Sequence, residues 1–210
     1  MRVVLDVENH AHQLGRPAIG NYPQPGTEVP EDNGDGARHH RRMSRNIVVI
    51  LGHPDPHGHH FCHALAQAYI DGAKQAGHLV RTINVARLEF PLLRNMEDYR
   101  DNIPPADILE AQEKINWAEH LVFIYPLWLG SVPALLKGFL EQTFRENFIV
   151  VDREDHRRCA QLLRGKSARL LVTMGMPAFV SRWYFGAHSL KSLERNILGF
   201  SGVGQPVRFD

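Results

Sequence analysis

Buried-strand patterns alternate with amphipathic helix patterns from residue 46 onward, and this alternation limits the fold more than any other feature of the chain. The continuous apolar run NIVVIL at 46–51 is typical of a strand covered on both faces, and a helix pattern follows it at 60–76. The other predicted elements are the strand 79–85, an irregular stretch at 86–105, the helix 106–118, the strand 121–125, a helix that begins at Pro133, the strand 168–174, the helix 190–198 and a fifth strand at PVRF. Strands that alternate with helices form βαβ units. The sequence therefore predicts a doubly wound α/β fold around a mostly parallel, five-stranded sheet.

Three loops of this predicted sheet are the candidate ligand-binding segments. In doubly wound sheets, ligands bind beyond the carboxyl ends of the strands, where the strand order reverses. The loops that leave those ends are 52–61, 126–132 and 174–188. We therefore expect the functional residues to lie in these three loops.

The first 45 residues differ in composition from the rest of the chain. The stretch GRPAIGNYPQPGTEVPEDNGDGARHHRR is dense in Gly, Pro, Asn and charge and has no sustained period of 3.6 or 2. Such a segment buries too little apolar surface to offset its ordering entropy. We therefore predict an irregular or disordered extension at 1–45 and a single domain at 46–210. The alternative is a short arm that adds a strand or clasps a partner subunit.

Charge, hydropathy and cysteine content narrow the class of protein. Lys and Arg total 24 against 23 Asp and Glu, so no strong field attracts nucleic acid. No apolar run reaches the roughly 18 residues of a transmembrane helix. Cys62 and Cys159 are the two cysteines and form no CxxC pair, which suits a reducing cytoplasm.

The segment GHPDPHGHHFCH at 52–63 holds five histidines and raises the question of a metal or a phosphate. A Gly- and Pro-rich loop that opens a helix directs backbone N–H groups at an anion, and the imidazoles of His53 and His59 can donate to phosphate oxygens. A metal reading pairs His63 with His59 or His60, with Cys62 beside them, but no second ligand cluster is evident. A third reading leaves the histidines simply solvated. We favour the phosphate and predict no metal site.

Three segments in this order closely resemble the flavodoxin-like NAD(P)H:quinone oxidoreductases. They are LGHPDPHGHHF at 51–61, YPLWLGSVPALLKGFLEQTF at 125–144 and the stretch 173–202 that begins TMGMPAF. The family includes cytoplasmic ancillary proteins of glutathione-gated potassium efflux systems. The resemblance implies a flavodoxin-like sheet in the order 2-1-3-4-5 and a homodimer with its active site at the interface. It also implies FAD as cofactor, with FMN as the other candidate, NAD(P)H as co-substrate and a quinone as acceptor.

The resemblance also assigns residues to the cofactor. His53 matches the family's loop histidine near the flavin phosphate, and the family's Ser and Asn positions correspond to His59 and Cys62. The full set implied to bind the cofactor is His53, His59, Phe61, Cys62, Pro126, Leu127, Trp128, Leu129, Thr173, Met174, Gly175 and Met176. Many relatives carry a Gln at Trp128 and an aromatic residue at Leu129, so the surface beside the flavin ring is expected to differ here.

The catalytic residues implied by the resemblance are His188 and, by a looser match, Tyr184. Hydride that arrives at flavin N5 leaves negative charge around N1 and O2, which an imidazole stabilises or neutralises by proton transfer. A tyrosine hydroxyl can relay that proton. The expected activity is two-electron hydride transfer from NAD(P)H through the flavin to a quinone.

Two alternatives to the enzyme and one departure from the family accompany this expectation. The chain could be a cytoplasmic regulatory subunit of a glutathione-gated potassium efflux transporter, in peripheral contact with it. A single-electron carrier is disfavoured because such carriers are usually strongly acidic, whereas this chain is near neutral.

Relatives usually continue into a final helix that covers one sheet face, and that helix is expected to be absent here.

Overall fold

The computed structural model describes residues 3–9, 44–145, 148, 150–151, 160–161, 163–175, 193, 198 and 202. Its strands are β1 (Val3–Asn9), β2 (Asn46–Leu51), β3 (Leu79–Asn84), β4 (His120–Pro126), β5 (Val150–Val151), β6 (Ala160–Gln161) and β7 (Ser167–Met174). Its helices are α1 (Phe61–Gln75), α2 (Met96–Arg100), α3 (Ala106–Trp117) and α4 (Ala134–Thr143), with a 3₁₀ turn at Val85–Arg87. The strands and helices predicted between residues 46 and 174 are thus confirmed within one or two residues at most ends.

The main sheet has the strand order β1-β7-β4-β2-β3, and the short strands β5 and β6 form a separate pair. Strands β3, β2, β4 and β7 are all parallel, which is the order 2-1-3-4 when they are counted along the chain. This confirms the flavodoxin-like arrangement for four strands. The fifth parallel strand predicted at PVRF lies outside the described residues, as does the end of the chain where a last helix was expected to be missing.

Strand β1 pairs antiparallel with the outer edge of β7, from Val3 opposite Met174 to Asn9 opposite Ala168. These seven residues belong to the stretch predicted to be irregular, and their pairing agrees instead with the alternative of an arm that adds a strand. The run VVLDVEN was obscured by the Gly- and Pro-rich residues after it, whereas an open sheet edge favours any extended segment that can pair with it. The boundary at residue 45 stays a prediction, since residues 10–43 lie outside the described part.

The sheet is covered on both faces, as a doubly wound fold requires. Val48 and Ile50 of β2 point into a core shared with α3 and α4, where Ile108, Ile115 and Phe139 are fully buried. Ile47, Val49 and Leu51 point to the opposite face, where Cys62, Ala66 and Ala73 of α1 cover them. The predicted helix 190–198 lies outside the described residues except for Leu193 and Leu198, which are both buried in the first core.

Local sequence signals explain most helix ends. Gly77 adopts φ 83° just after α1, and its N–H donates to Lys74 O at 2.9 Å, which closes the helix as predicted. Pro133 precedes the first residue of α4. Helix α2 lies in the stretch predicted to be irregular; the Asn95 side chain caps it by accepting from Asp98 N at 2.7 Å. Its five residues are too few to show a period among the neighbouring prolines. Within the described part, no helix combines the length and apolar character needed to cross a bilayer.

Candidate functional site at the carboxyl edge of the sheet

A cleft of about 370 Å³ opens where β2, β4 and β7 end. The three loops that the strand order brings together form its walls. The residues that line it are His53, His60, Phe61, Cys62, Pro126, Leu127, Trp128, Thr173, Met174 and Gly175. Except for His60, all of them belong to the set that the sequence assigned to a cofactor. The structure therefore gathers residues from three distant segments into one concave site.

Direct contacts between the loops hold this cleft together. The N–H of Leu127 donates to Thr173 O at 2.8 Å, which joins the loop after β4 to the end of β7. The Cys62 Sγ lies 3.2 Å from Thr173 Oγ1 and joins the start of α1 to the same strand end. Gly52 donates to Ile124 O at 2.8 Å as the chain leaves β2. These contacts join the three loops to one another and to the strand ends.

Gly52 lies directly after the buried strand β2, where the first loop begins. A Cβ built on it would lie 2.5 Å from Leu136 Cδ2, a fully buried side chain of α4. The loop after β2 therefore passes over α4 at a distance that only glycine permits. The glycine directly after a buried strand was the available sequence signal.

His53 is the buried imidazole of the first loop. Its side chain is 7% exposed, and its Nδ1 accepts the Asp55 N–H at 3.1 Å. Because Nδ1 accepts, the ring proton lies on Nε2, which is then a donor. Burial, followed by the neighbouring charges of His60 and His63, lowers the pKa of His53. The imidazole is therefore neutral at neutral pH.

Asp55 bridges two further imidazoles of the same loop. Its Oδ1 lies 2.7 Å from His57 Nδ1, and its Oδ2 lies 2.7 Å from His60 Nε2. The hydrogen bond from His60, followed by those from the His57 amide and ring, holds the pKa of Asp55 well below its usual range. An ionised carboxylate only accepts, so both histidines donate to it.

Helix α1 begins at the floor of the cleft. His60 precedes its first residue with an extended backbone, φ −102° and ψ 158°, and Phe61 and Cys62 follow as cleft residues. The N-terminal end of the helix dipole therefore faces the cleft and favours an anion there. His59, which the sequence assigned to the phosphate, is exposed and does not line the cleft. His60, which the sequence did not assign to the cofactor, lines the cleft instead, and its position at the start of the predicted helix was the overlooked signal.

The second loop makes a tight turn at the mouth of the cleft. Trp128 and Ser131 exchange two backbone hydrogen bonds of 2.9 Å, and the two residues between them have positive φ, 47° at Leu129 and 75° at Gly130. Both central residues are thus left-handed, as in a type I′ turn. Trp128 is half exposed and meets His53 edge-on with ring centroids 6.3 Å apart. Leu129 is fully exposed and does not line the cleft, unlike its assignment from the sequence.

The third loop closes the cleft at the end of β7. Thr173 and Met174 are buried, whereas Gly175 is exposed, and a Cβ built on Gly175 would have no atom of the described residues within 4 Å. Packing against the described residues therefore does not require glycine at this position, although a closely approaching ligand would. The remaining predicted site residues, Met176, Tyr184 and His188, lie outside the described residues, and their roles stay predictions.

The histidines of the first loop stack on one another. The rings of His53 and His60 are 4.0 Å apart at 18°, and His63 lies 5.4 Å from His53. Stacked rings direct their nitrogens along their own planes rather than toward a common point. Within the described segments, no group of three His, Cys, Asp or Glu side chains is placed to hold a metal ion.

Fold and site together define a class of protein. Four parallel strands in the order 2-1-3-4, with a helix start and an aromatic side chain at the carboxyl edge, are the features of a flavodoxin-like α/β protein. Residues 45–208 match a family model described as a flavodoxin-like fold. Because this match covers well over half of the chain, the protein belongs to that flavodoxin-like family.

Individual relatives are oxidoreductases by name. A ribosyldihydronicotinamide dehydrogenase [quinone] of Pongo abelii is 34% identical over 153 residues, which cover 62% of this chain and 64% of the relative. A ribosyldihydronicotinamide dehydrogenase-like protein of Penicillium crustosum is 26% identical over 154 residues, 61% and 57% of the two chains. The solved NAD(P)H:quinone oxidoreductase of Methanothermobacter marburgensis has a TM-score of 0.61 at 23% identity and covers 78% of this chain and 84% of its own. The chain thus spans less than two thirds of the length of these curated relatives.

The cleft residues fit the flavin that such a family implies. A phosphate fits the α1 start, where the dipole and the His53 Nε2–H both favour an anion. A planar ring fits beside the half-exposed Trp128. The open space around Gly175 allows close approach to the ring edge.

Proposed function

We propose that this protein is a flavin-dependent NAD(P)H:quinone oxidoreductase with FAD as its cofactor and FMN as the other candidate. The observation that carries the proposal is the cleft at the carboxyl edge, where three loops bring together the residues that the family resemblance assigned to a flavin. The names of the relatives support the same reaction. A bound flavin supplies two-electron chemistry, accepting hydride from NAD(P)H and passing it to a quinone.

The phosphate end of the cofactor is assigned to the first loop and α1. His53 offers a neutral Nε2–H donor, and its orientation is fixed because its Nδ1 accepts from Asp55 N. The N-terminal turn of α1 adds its dipole. Neither contribution depends on a positive side chain, so this chain binds the phosphate without a lysine or arginine among the described cleft residues.

The ring end is assigned to the second and third loops. The N–H of Leu127 already donates to Thr173 O, and that of Trp128 to Ser131 O. These two amides are therefore engaged within the protein. Gly175 follows the last residue of β7, so we assign to its backbone the contact with the polar edge of the ring. Trp128 supplies an apolar wall on which planar substrates stack.

The proton chemistry is assigned to His188, with Tyr184 as its aid. We assign to the His188 imidazole the task of holding a proton at O2 of the ring, where negative charge develops during hydride transfer. The Tyr184 hydroxyl relays that proton or stabilises the charge. Because NAD(P)H and the quinone would use the same face of the ring, one leaves before the other enters.

A homodimer with the active site at the interface is part of this proposal. Trp128 at the cleft mouth is 51% exposed, which suits a surface covered by a second subunit. The alternative role as regulatory subunit of a potassium efflux transporter gains no support from the relatives described above.

An absorption spectrum of the purified protein tests the proposal. The expected result is a bound flavin, identified as FAD or FMN after release, whose colour is bleached by NAD(P)H and restored by a quinone. A protein that stays colourless after incubation with both FAD and FMN would overturn the proposal. If NAD(P)H reduces the bound flavin but no quinone reoxidises it, the proposed NAD(P)H reductase activity would stand, and the proposal of a quinone as acceptor would be wrong.

A further inference from the structure

His60 is placed to do more than begin a helix. It lines the cleft, and its Nε2 donates to the Asp55 carboxylate at 2.7 Å. In the neutral ring, Nδ1 therefore carries a lone pair and no proton. Among the hydrogen bonds within the described residues, none uses His60 Nδ1. The cleft thus contains an imidazole nitrogen that is available to bind a proton.

His53 cannot take that proton as readily. Its Nδ1 already accepts from Asp55 N, so protonation there would break a backbone hydrogen bond. Its ring lies face to face with His60 at 4.0 Å, so a second positive charge would be adjacent to the first. Of the two stacked rings, His60 is therefore the one that can accept a proton without losing a hydrogen bond to a described residue.

We propose that His60 is a phosphate-binding residue and takes up one proton as the flavin phosphate binds, so that flavin affinity rises as the pH falls through the neutral range. The inference rests on the proposed flavin function. The proton comes from solvent and binds to Nδ1, and the new N–H donates to a phosphate oxygen as a charge-assisted hydrogen bond. Binding is thereby linked to pH.

The charged groups around His60 explain why a bound phosphate is needed before the His60 ring takes up a proton. Asp55 favours the imidazolium from the side of Nε2, but it is shared with His57. The ring of His63 on α1 lies 5.9 Å from that of His60, so a positive charge on either ring disfavours one on the other.

The surroundings beyond that loop add no fixed negative charge among the described residues. His59 lies next to His60 in the chain, and Arg87, from the turn after β3, exerts its charge on His63. The opposite walls contribute Trp128, Thr173 and Cys62, which bring no fixed charge. A phosphate is thus the negative charge that tips the ring toward its protonated form.

Calorimetric titration of the unliganded protein with FMN, FAD and riboflavin tests this proposal. Measurement at pH 7.5 in HEPES and in Tris, which differ in ionisation enthalpy, gives the number of protons exchanged. We expect uptake approaching one proton with FMN and FAD, and none with riboflavin, which has no phosphate. FMN affinity should rise by up to tenfold per unit as the pH falls from 8.5 to 7, a range above the second pKa of the phosphate, about 6.

Single substitutions identify the histidine. In the His60→Gln variant, FMN should bind with no proton uptake and little pH dependence, while unchanged riboflavin affinity shows that the cleft is intact. The matched control His57→Gln removes the other imidazole bound to Asp55, outside the cleft, and should leave the uptake as it is. Uptake lost in His59→Gln and kept in His60→Gln would overturn the assignment in favour of the residue predicted from the sequence.

The remaining outcomes separate this inference from the proposed function. Flavin that binds with the same enthalpy in both buffers would overturn the proton uptake and leave the oxidoreductase proposal standing. A protein that binds none of the three flavins would overturn the proposed function, and the inference with it.

Discussion

The Cys62 Sγ lies 3.2 Å from Thr173 Oγ1, in a buried contact between the start of α1 and the end of β7. The two residues are 111 positions apart in the chain, and both line the cleft. This contact fixes the helix start, which we assign to the phosphate, relative to the loop that we assign to the ring.

Loss of this contact should weaken folding and flavin binding together. We expect Cys62→Ala to reduce the free energy of unfolding by about 1–2 kcal/mol, because a buried side chain and a hydrogen bond are both lost. Thr173→Val should cost about 1 kcal/mol. Urea unfolding of the single and double variants should show a coupling of about 0.5–1 kcal/mol, since the residues touch. Strictly additive effects would show that the contact contributes nothing.

Gly52 and Gly175 are two glycines whose replacement by alanine should have different effects. Gly52→Ala places a methyl group 2.5 Å from the buried Leu136 and should destabilise the fold by about 1–3 kcal/mol through overpacking. Gly175→Ala meets no atom of the described residues within 4 Å, so the unliganded protein should unfold as the wild type does while flavin affinity falls. Thermal unfolding with and without flavin separates the two effects. Equal flavin affinity in Gly175→Ala and wild type would remove this residue from the site.

The turn at Leu129 stores backbone strain that a substitution should release. Leu129 has φ 47° and is fully exposed, so its side chain gains no packing that offsets the left-handed conformation. We expect Leu129→Gly to stabilise the unliganded protein by about 0.5–1 kcal/mol. Gly130→Ala, at φ 75°, should have the opposite sign. Thermal unfolding checks both, and a destabilised Leu129→Gly variant would indicate that this side chain is packed in solution.

The sequence predicts the sheet well because its signals are local and strong. NIVVIL was placed at 46–51, where β2 lies, and Pro133 before α4. The three binding loops followed from strand topology alone. Strand β1 was missed because pairing with β7 is a long-range event with no local period.

The sequence did not predict which of the two neighbouring histidines, His59 or His60, lines the cleft. Both histidines lie at the predicted loop end, and one residue of register decides which of them faces the cleft. The Cys62–Thr173 contact and the approach of Gly52 to Leu136 likewise depend on packing between distant segments. Sequence patterns identify the segments that meet, whereas the tertiary fold decides which atoms touch.

Substitution of His188 tests the proposed proton chemistry. We expect His188→Ala to slow reduction of the bound flavin by NAD(P)H about 10²-fold, the usual contribution of a positioned acid or base. Tyr184→Phe should have a smaller effect, because its hydroxyl only assists. Stopped-flow absorbance of the flavin measures the rate directly, and flavin content checks that the site is intact. A His188→Ala rate equal to that of the wild type would exclude this residue from the mechanism.

His63 should make the fold sensitive to acid. Both of its ring nitrogens are buried with no hydrogen-bond partner among the described residues, and burial, followed by the charge on His60, lowers its pKa. The unfolded chain, with a histidine pKa of about 6.5, then binds more protons than the folded one below that pH. The stability that depends on a neutral His63 is therefore fully present above about pH 6.5 and is lost as the pH falls below that value. His63→Leu should remove part of this loss and, by removing two unsatisfied polar atoms, stabilise the protein by about 1 kcal/mol at pH 7.5. Urea unfolding at pH 7.5 and 5.5 measures both effects, and an equal acid loss in variant and wild type would contradict this role for His63.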